Sequence, residues 1–378
     1  MKYNKNEKLF NIYIFLTTFS RNLIEVFVGT VLFKLGFSVH EVVLYILLAY
    51  IFSALLAYPC VAFSKRFSNE LLALISAFAF IGMQFTLNHM GNQMPFLVLV
   101  SFLFALYRKT YWVARRYYTL KLVSHQQNVA RKYSVMSVIN QLGVITAAYA
   151  GSVFLEFFTI DIITIISFIL LVISTVTLRF IKIENEKNTI KIQPLRTIHR
   201  IPFSSMAHIV CYEVINISKI LLPVFIILYI KDPYTAVGIV TLIANIAALV
   251  FIYIYGRVIN KKRNFLRCSI LIYVIMKICQ VNSAGVLLAV FTFCEGFAQK
   301  AYEQSFHKEY LVMSRKFDSF NFNLAYELIM DIGRLIIVAF LFFFISDVKT
   351  MLYIVFGVTS IGLLFKFKTE TRALPSRS

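Results

Sequence analysis

The chain has 378 residues, of which 59% are hydrophobic and only 15% are charged, and its formal net charge is +20. Soluble domains carry about 25% charged residues, so the composition excludes an aqueous globular protein. The net charge alone would suit a nucleic-acid partner, but basic residues of membrane proteins collect in cytoplasmic loops. The composition therefore predicts a membrane protein without a nucleic-acid partner.

The apolar residues form blocks of about twenty, which is the length a helix needs to cross a hydrocarbon core ~30 Å thick. Spanning strands would instead alternate in hydrophobicity over ~10 residues, and no such alternation is present. The first block carries Arg21 and Glu25 and lacks a small-residue cleavage site, so we expect it to stay in the mature protein. We predict an all-α polytopic membrane protein with 12 transmembrane helices near 9–33, 41–63, 70–88, 95–114, 134–155, 160–180, 204–230, 234–256, 264–282, 284–305, 319–345 and 350–366.

The connections between these blocks differ consistently in charge. Alternate connections, the two termini included, hold 29 of the 38 Lys and Arg residues, and the remaining connections hold three against five acidic residues. This alternation predicts that both termini are cytoplasmic. The longest connection is polar and divides the chain into an N-terminal six-helix bundle (1–182), a cytoplasmic linker (183–203) and a C-terminal six-helix bundle with a short cytoplasmic tail (204–378).

Ten ionisable residues fall inside the predicted spans. Each costs about 2.5–3.5 kcal/mol at the bilayer centre, so such residues indicate functional sites unless they form structural ion pairs. They are Arg21 and Glu25 in span one, Arg108 and Lys109 in span four, Glu213 and Lys219 in span seven, Glu295 in span ten, and Glu327, Asp331 and Arg334 in span eleven. A further residue, Lys277 in span nine, is expected to reach the outer surface along its aliphatic stem.

The spacing of these residues predicts a shared polar interior. Asn323, Glu327, Asp331 and Arg334 recur at i, i+4, i+8 and i+11, which places them on one stripe of a helix. Arg108 and Lys109 either reach the cytoplasmic headgroups or, beside aromatic residues, suit an anionic or aromatic ligand. The predicted substrate-binding residues of the cavity are Arg21, Glu25, Arg108, Lys109, Trp112, Glu213, Asn216, Lys219 and Gln299.

This layout resembles the major facilitator superfamily, in which spans one, four, seven and ten line a central cavity. The loop after span eight reads Gly256-Arg257-Val258-Ile259-Asn260-Lys261-Lys262-Arg263 and is similar to the family's gating loop, which implies gating roles for Gly256, Asn260 and Lys261. The corresponding loop after span two is degenerate and has Lys65 where the family has an acidic residue. Span five lacks the Gly-Pro motif of many drug–proton antiporters, which disfavours a multidrug exporter.

The resemblance implies alternating access, in which two halves rock around a site near the middle of the membrane. Because burial and neighbouring charges decide when a carboxyl group takes up a proton, we predict proton coupling through Glu295, Glu327 and Asp331, with Arg334 as the partner of Asp331. The N-terminal half is rich in cations and the C-terminal half in carboxylates. We therefore expect a secondary active transporter whose small anionic or zwitterionic solute is held mainly by the N-terminal half.

The sequence also bears on other functions. The six histidines and five cysteines are scattered and form no catalytic or metal-binding pattern, so we predict no enzyme, no cofactor and no metal. A non-transporting receptor, lipid-binding scaffold or assembly factor on the same fold stays open, because the degenerate first loop suits such a role. We expect a monomer in the lipid bilayer of a bacterial cytoplasmic (inner) membrane, with a solute and H⁺ as its partners.

Overall fold

The computed structural model describes residues 5–124, 129–157, 160–181, 191–229, 233–258, 265–283 and 285–365. Within these ranges the chain forms fourteen α-helices and no β-strand. The helices are α1 (Lys5–Asn22), α2 (Val28–Lys34), α3 (Val39–Arg66), α4 (Asn69–His89), α5 (Met94–Thr119), α6 (Val129–Phe157), α7 (Ile160–Arg179), α8 (Pro194–Arg200), α9 (Phe203–Tyr229), α10 (Pro233–Val258), α11 (Phe265–Val281), α12 (Gly285–Ser314), α13 (Ser319–Phe344) and α14 (Val348–Ile361).

A helix lies at each of the twelve predicted span positions, but the first position holds two. The prediction of one continuous helix over 9–33 is wrong: α1 ends at Asn22, a 3₁₀ turn covers Glu25–Phe27, and α2 begins at Val28. At the break, the Asn22 side-chain amide donates to the Thr18 carbonyl oxygen at 2.7 Å. Such side-chain bonds compete with the backbone ladder of a helix. The break lies between the two charged residues of this segment, Arg21 and Glu25.

Five of the described helical segments are long and apolar enough to cross a membrane by length and composition. They are Val39–Arg66, Asn69–His89, Met94–Val123, Asp161–Arg179 and Phe203–Ile226. Helices such as α12 and α13 are as long but carry several charged side chains, which lower their hydropathy. The charged residues that indicate function thus also weaken the apolar signal of the helices that contain them.

Polar side chains fix where several helices begin. Ser38 and Glu41 form a reciprocal capping box at the start of α3. Asp318 accepts from the backbone amides of Phe320 and Asn321 at 3.0 and 2.9 Å and so begins α13. Between α2 and α3 the chain turns through Gly36 at φ +92°, a conformation that residues with a Cβ rarely adopt.

Helices α1–α7 form the N-terminal group, and α9–α14 form the C-terminal group. The two groups meet where α3 packs on α13, where α6 packs on α10 and where α2 packs on α9. Helices approach closely at small residues, as is common in membrane bundles. A Cβ built on Gly296 of α12 would overlap the carbonyl oxygen of Ala244 in α10.

The predicted linker contains a short helix where it is described. Helix α8 packs on α13, and the Asn321 side-chain amide donates to the Lys191 carbonyl oxygen at 2.9 Å. The side-chain oxygen of Asn321 also accepts from the backbone amide of Gln193, at 2.5 Å. The part of the linker next to α9 is therefore docked against the C-terminal group.

Candidate functional site

A cavity of about 430 Å³ lies between the N-terminal and C-terminal groups. Its volume falls in the range of small-molecule sites, about 300–1,000 Å³. It is lined by α1, α2, α3, α5 and α6 from one group and by α9–α13 from the other. Ten of the predicted site residues line it: Arg21, Glu25, Arg108, Trp112, Glu213, Asn216, Lys219, Glu295, Gln299 and Arg334.

The break in the first span forms one wall of this cavity. Arg21 Nη2 lies 2.9 Å from Glu25 Oε2 across the break, and the Tyr107 hydroxyl of α5 donates to the same oxygen at 2.6 Å. The Arg21 guanidinium lies over the Tyr111 ring, 3.9 Å from its centroid. Arg21 and Glu25 thus both contact α5, and their opposite charges balance each other.

A second ion pair joins α9 and α13 within the C-terminal group. Arg334 contacts the Glu213 carboxylate, which also accepts from the Tyr326 hydroxyl at 2.6 Å and from the Asn216 amide at 2.7 Å. The expected pairing of Arg334 with Asp331 is only marginal, since the nearest atoms are 4.0 Å apart. Arg334 has its main partner, Glu213, on α9, because Asp331 contacts Lys109 of α5 instead.

Asp331 and Glu327 are held by cations of the N-terminal group. The Lys109 ammonium contacts both carboxylates, Arg116 contacts Glu327, and Ser53 Oγ donates to Asp331 Oδ1 at 3.2 Å. Lys109, Glu327 and Asp331 are 2%, 1% and 0% exposed. These three residues, named here the inter-group cluster, lie behind the cavity wall and not on its surface, in contrast to the predicted position of Lys109 in the cavity.

The pair Lys277–Glu295 forms a further part of the lining. Lys277 Nζ lies 3.2 Å from Glu295 Oε1 and donates to Gln280 Oε1 at 3.0 Å. Lys277 is 5% exposed, so the expectation that it reaches the outer surface is wrong. The charge is held inside because α11 packs against α12, which brings Glu295 to it.

Sequence reasoning missed lining residues that lie beyond the predicted ends of spans four and ten. Helix α5 continues past residue 114 and α12 past residue 305, and both extensions remain on the cavity. The residues gained are Arg115, Arg116 and Thr119 on the first extension, Leu120 directly after it, and His307, Tyr310 and Leu311 on the second. The helical spacing of Arg108, Trp112, Arg115 and Thr119 was the available signal, but the loss of hydropathy after residue 114 masked it.

Three lining cations lack an acidic partner within the described part of the chain. Among the described residues, no carboxylate oxygen lies within 4.0 Å of Arg108, Arg115 or Lys219. Glu25 is near enough to interact electrostatically with Arg108, and Glu303, Glu213 and Glu295 with Lys219. Each of these carboxylates is already paired with another cation, namely Arg21, Lys300, Arg334 and Lys277. The cavity therefore has an excess of positive charge.

The remaining sequence predictions concern the gating loop. Gly256 lies in the last turn of α10, whereas Asn260 and Lys261 fall outside the described residues. In the part of the chain that is described, no group of three or more His, Cys, Asp and Glu side chains is placed to hold a metal ion.

Comparison with solved structures gives the same architecture over almost the whole chain. A bacterial homologue of the iron transporter ferroportin in the inward-facing state has a TM-score of 0.67 at 11% identity, with 96% of this chain and 98% of that chain covered. A point mutant of the nucleoside transporter NupG has a TM-score of 0.66 at 14% identity, with 95% and 98% covered. At these identities the likeness concerns the fold and not the cargo.

A search of curated protein sequences finds no match. The family model described as Major Facilitator Superfamily matches residues 10–230, which is more than half of the 378-residue chain and includes all of the N-terminal group except the first turn of α1. With the cavity between the two helix groups and the two structural likenesses, this match agrees with the resemblance noted from the sequence. The chain belongs to the Major Facilitator Superfamily.

Proposed function

We propose that this chain is a secondary active transporter that moves a small anionic or zwitterionic solute across a membrane by alternating access, with protons as the coupling ion. The observation that carries this proposal is the cavity between the two helix groups, where three lining cations lack acidic partners among the described residues. A carboxylate or phosphate entering this space would complete their charge balance with charge-assisted hydrogen bonds. The same excess charge disfavours a metal cation as cargo.

The membrane topology forms part of the proposal. We assign twelve crossings, with α1 and α2 together forming the first, and two halves that end at residue 182 and begin at residue 204. The alternation of basic connections supports a cytoplasmic location for both termini. A bacterial inner membrane and a monomeric state complete the assignment.

Proton coupling is assigned to the inter-group cluster. Two carboxylates of α13, Glu327 and Asp331, are neutralised by cations of α5. When the two halves separate at this point, these carboxylates lose their cations. Because an unpaired buried charge is strongly unfavourable, a proton is the simplest replacement for the lost cation. Glu295 retains its own partner, Lys277, within the C-terminal group, and so has a weaker claim to this role.

The first test is ligand binding followed by counterflow. Purified protein is screened by thermal stabilisation against matched sets of small carboxylic acids, their amides and the corresponding amines, and proteoliposomes are then tested for counterflow of the acids that bind. We expect acids to stabilise the protein and amines not to. Arg108→Gln and Lys219→Gln should each weaken binding, whereas Lys349→Gln, at the start of α14 and away from the cavity lining, removes the same charge as a control.

Three outcomes are informative. Counterflow that requires Arg108 and Lys219 supports the transporter. Binding without counterflow in any lipid composition supports a receptor on the same fold instead. Normal pH dependence of transport in Glu327→Gln and Asp331→Asn variants would show that the proton is handled elsewhere.

A further inference from the structure

We infer that the solute is an aromatic organic anion, which the cavity holds at two levels: its acidic group between Arg108 and Lys219, and its ring against a cluster formed by Tyr133, Tyr212 and His307. This inference rests on the proposed transport of an anion and names the class of that anion. All five residues line the same cavity. The three rings are named here the aromatic cluster.

The two cations come from opposite helix groups. Arg108 lies on α5 and Lys219 on α9, and the Lys219 side chain is exposed within the cavity lining. Arg108 lies over the Phe104 ring at 5.2 Å, and no carboxylate of the described residues contacts either cation at ion-pair distance. An anionic solute in this cavity therefore meets unpaired cations from both halves.

The aromatic cluster brings together one ring from each of three helices. The Tyr133 and Tyr212 rings lie 4.9 and 5.4 Å from the His307 ring between their centroids, and the Tyr212 hydroxyl is 3.3 Å from His307 Nε2. All three side chains are only partly buried, so part of each ring faces the cavity. The cluster combines α6, α9 and α12, again from both groups.

The distance between the aromatic cluster and the site of the acidic group follows from the positions of Tyr212 and Lys219 on α9. Tyr212 and Lys219 are seven residues apart, which is ~10 Å along a helix axis. They lie two turns apart on the same lining face, with Glu213 and Asn216 between them. Glu213 is held by Arg334, Tyr326 and Asn216, so its negative charge is already compensated and does not call for a cationic group on the solute. The lining therefore fits a molecule with one acidic end and one ring, joined by a short spacer.

Aromatic surroundings add a second preference. Arg115 lies over the Trp112 ring at 5.0 Å, and both residues line the cavity, so a contact between a cation and a ring is already part of the lining. Ring pairs in offset or edge-to-face contact are favoured beyond their buried area. A saturated ring of similar size would fill the space without this contribution. Recognition of the aromatic ring is thus separable from recognition of charge.

The test uses three probes of the same length: 4-phenylbutyrate, 4-cyclohexylbutyrate and 4-phenylbutanamide. Their binding to the purified full-length protein is measured by thermal stabilisation and calorimetric titration. We expect 4-phenylbutyrate to bind about three- to tenfold more tightly than 4-cyclohexylbutyrate, from the ring contribution alone. The amide should bind more weakly than either acid.

Variants then separate the two levels. Tyr212→Leu and Tyr133→Leu should abolish the preference for the phenyl over the cyclohexyl acid while the preference for acid over amide persists. Lys219→Gln should abolish the preference for acid over amide, while the preference for the phenyl over the cyclohexyl acid persists. The comparison of probes on the unaltered protein keeps the inference testable even if one variant does not fold.

Two results overturn the inference in different ways. If both acids bind equally and better than the amide, the aromatic assignment is wrong and the anion transporter stands. If neither acid binds better than the amide, the proposed function fails as well, because the unpaired cations then do not select charge.

Discussion

Lys109 shows how single residues connect the two helix groups. Its ammonium group contacts two carboxylates on α13, and all three side chains are almost fully buried. A buried ion pair contributes little net stability when complete, because desolvation offsets the attraction, but removing one partner leaves a charge without compensation. The cluster is therefore sensitive to single substitutions and tolerant of paired ones.

The first prediction follows from this asymmetry. Lys109→Met should lower the free energy of unfolding by about 3–5 kcal/mol, measured by chemical unfolding of the purified protein in detergent. Adding Asp331→Asn should recover part of this loss, because Glu327 still keeps Arg116 as its cation. A double variant no more stable than Lys109→Met alone would contradict the assignment of a coupled charge cluster.

Sequence reasoning identified the site's charged residues more readily than their partners. Unusual ionisable residues in apolar blocks are visible from composition alone, and most of those predicted do line the cavity. Their pairing is decided by contacts between helices distant in sequence, so Arg334 pairs with Glu213 and not with its neighbour on the helix, Asp331. Lys109 likewise lies behind the cavity because two carboxylates hold it there.

At the scale of helices, two helices can approach closely where one of them has a glycine. Gly296 of α12 lies against the backbone of Ala244 in α10. A larger residue there would push the two helices apart, and each of them lines the cavity. Gly357 of α14, by contrast, has open space around the position of a Cβ.

These two glycines give a matched comparison. Gly296→Leu should reduce the yield of monodisperse protein and lower its melting temperature, because the backbone of Ala244 cannot move aside without separating α10 from α12. Gly357→Leu places the same side chain in a helix without this clash and should behave like the unaltered protein. Equal behaviour of the two variants in size-exclusion chromatography and thermal unfolding would refute the close-packing argument.

The start of α14 offers a prediction that depends on pH. Asp347 accepts from the backbone amide and the hydroxyl of Thr350 at 2.7 and 2.8 Å, and the backbone bond lowers the pKa of this carboxyl group below its usual 3.8. A depressed pKa means that the stabilisation is complete above the unfolded pKa and is lost as pH falls through the folded one.

Asp347→Ala should therefore weaken the first turn of α14 by about 1 kcal/mol near neutral pH. Local opening measured by amide hydrogen exchange is the appropriate readout, with Asp347→Asn as a control that still caps but does not titrate. The difference between the unaltered protein and Asp347→Ala should shrink as the pH falls below about 4. A difference that is constant across this interval would rule out the charged cap as its source.

Helix positions were predictable because apolar blocks of spanning length are the strongest signal in a sequence, and a helix lies at each predicted position. Two features were not predictable in this way. The break after Asn22 depends on a side-chain bond to the Thr18 carbonyl oxygen, and the extensions of α5 and α12 are polar because they line a cavity. Hydropathy reports the surroundings of a helix as much as its length.

At the scale of the whole molecule, contacts between the two groups occur at both ends of the bundle. The His40 ring of α3 stacks on Phe342 of α13, with centroids 4.2 Å apart. Near the opposite end of α13, the Phe320 ring lies 5.2 Å from that of Tyr117 on α5. If the groups rock against each other around the cavity, one of these two contacts must open whenever the solute enters or leaves.

Cross-linking tests this motion directly. In a variant without the five native cysteines, His40→Cys with Phe342→Cys and, separately, Tyr117→Cys with Phe320→Cys are joined by a short bis-methanethiosulfonate linker in proteoliposomes. Each link should abolish counterflow, and a reducing agent should restore it. Phe10→Cys with Tyr118→Cys, whose native rings lie 5.6 Å apart within the N-terminal group, controls for modification itself. Undiminished counterflow with both inter-group links in place would exclude rocking of the two groups as the transport motion.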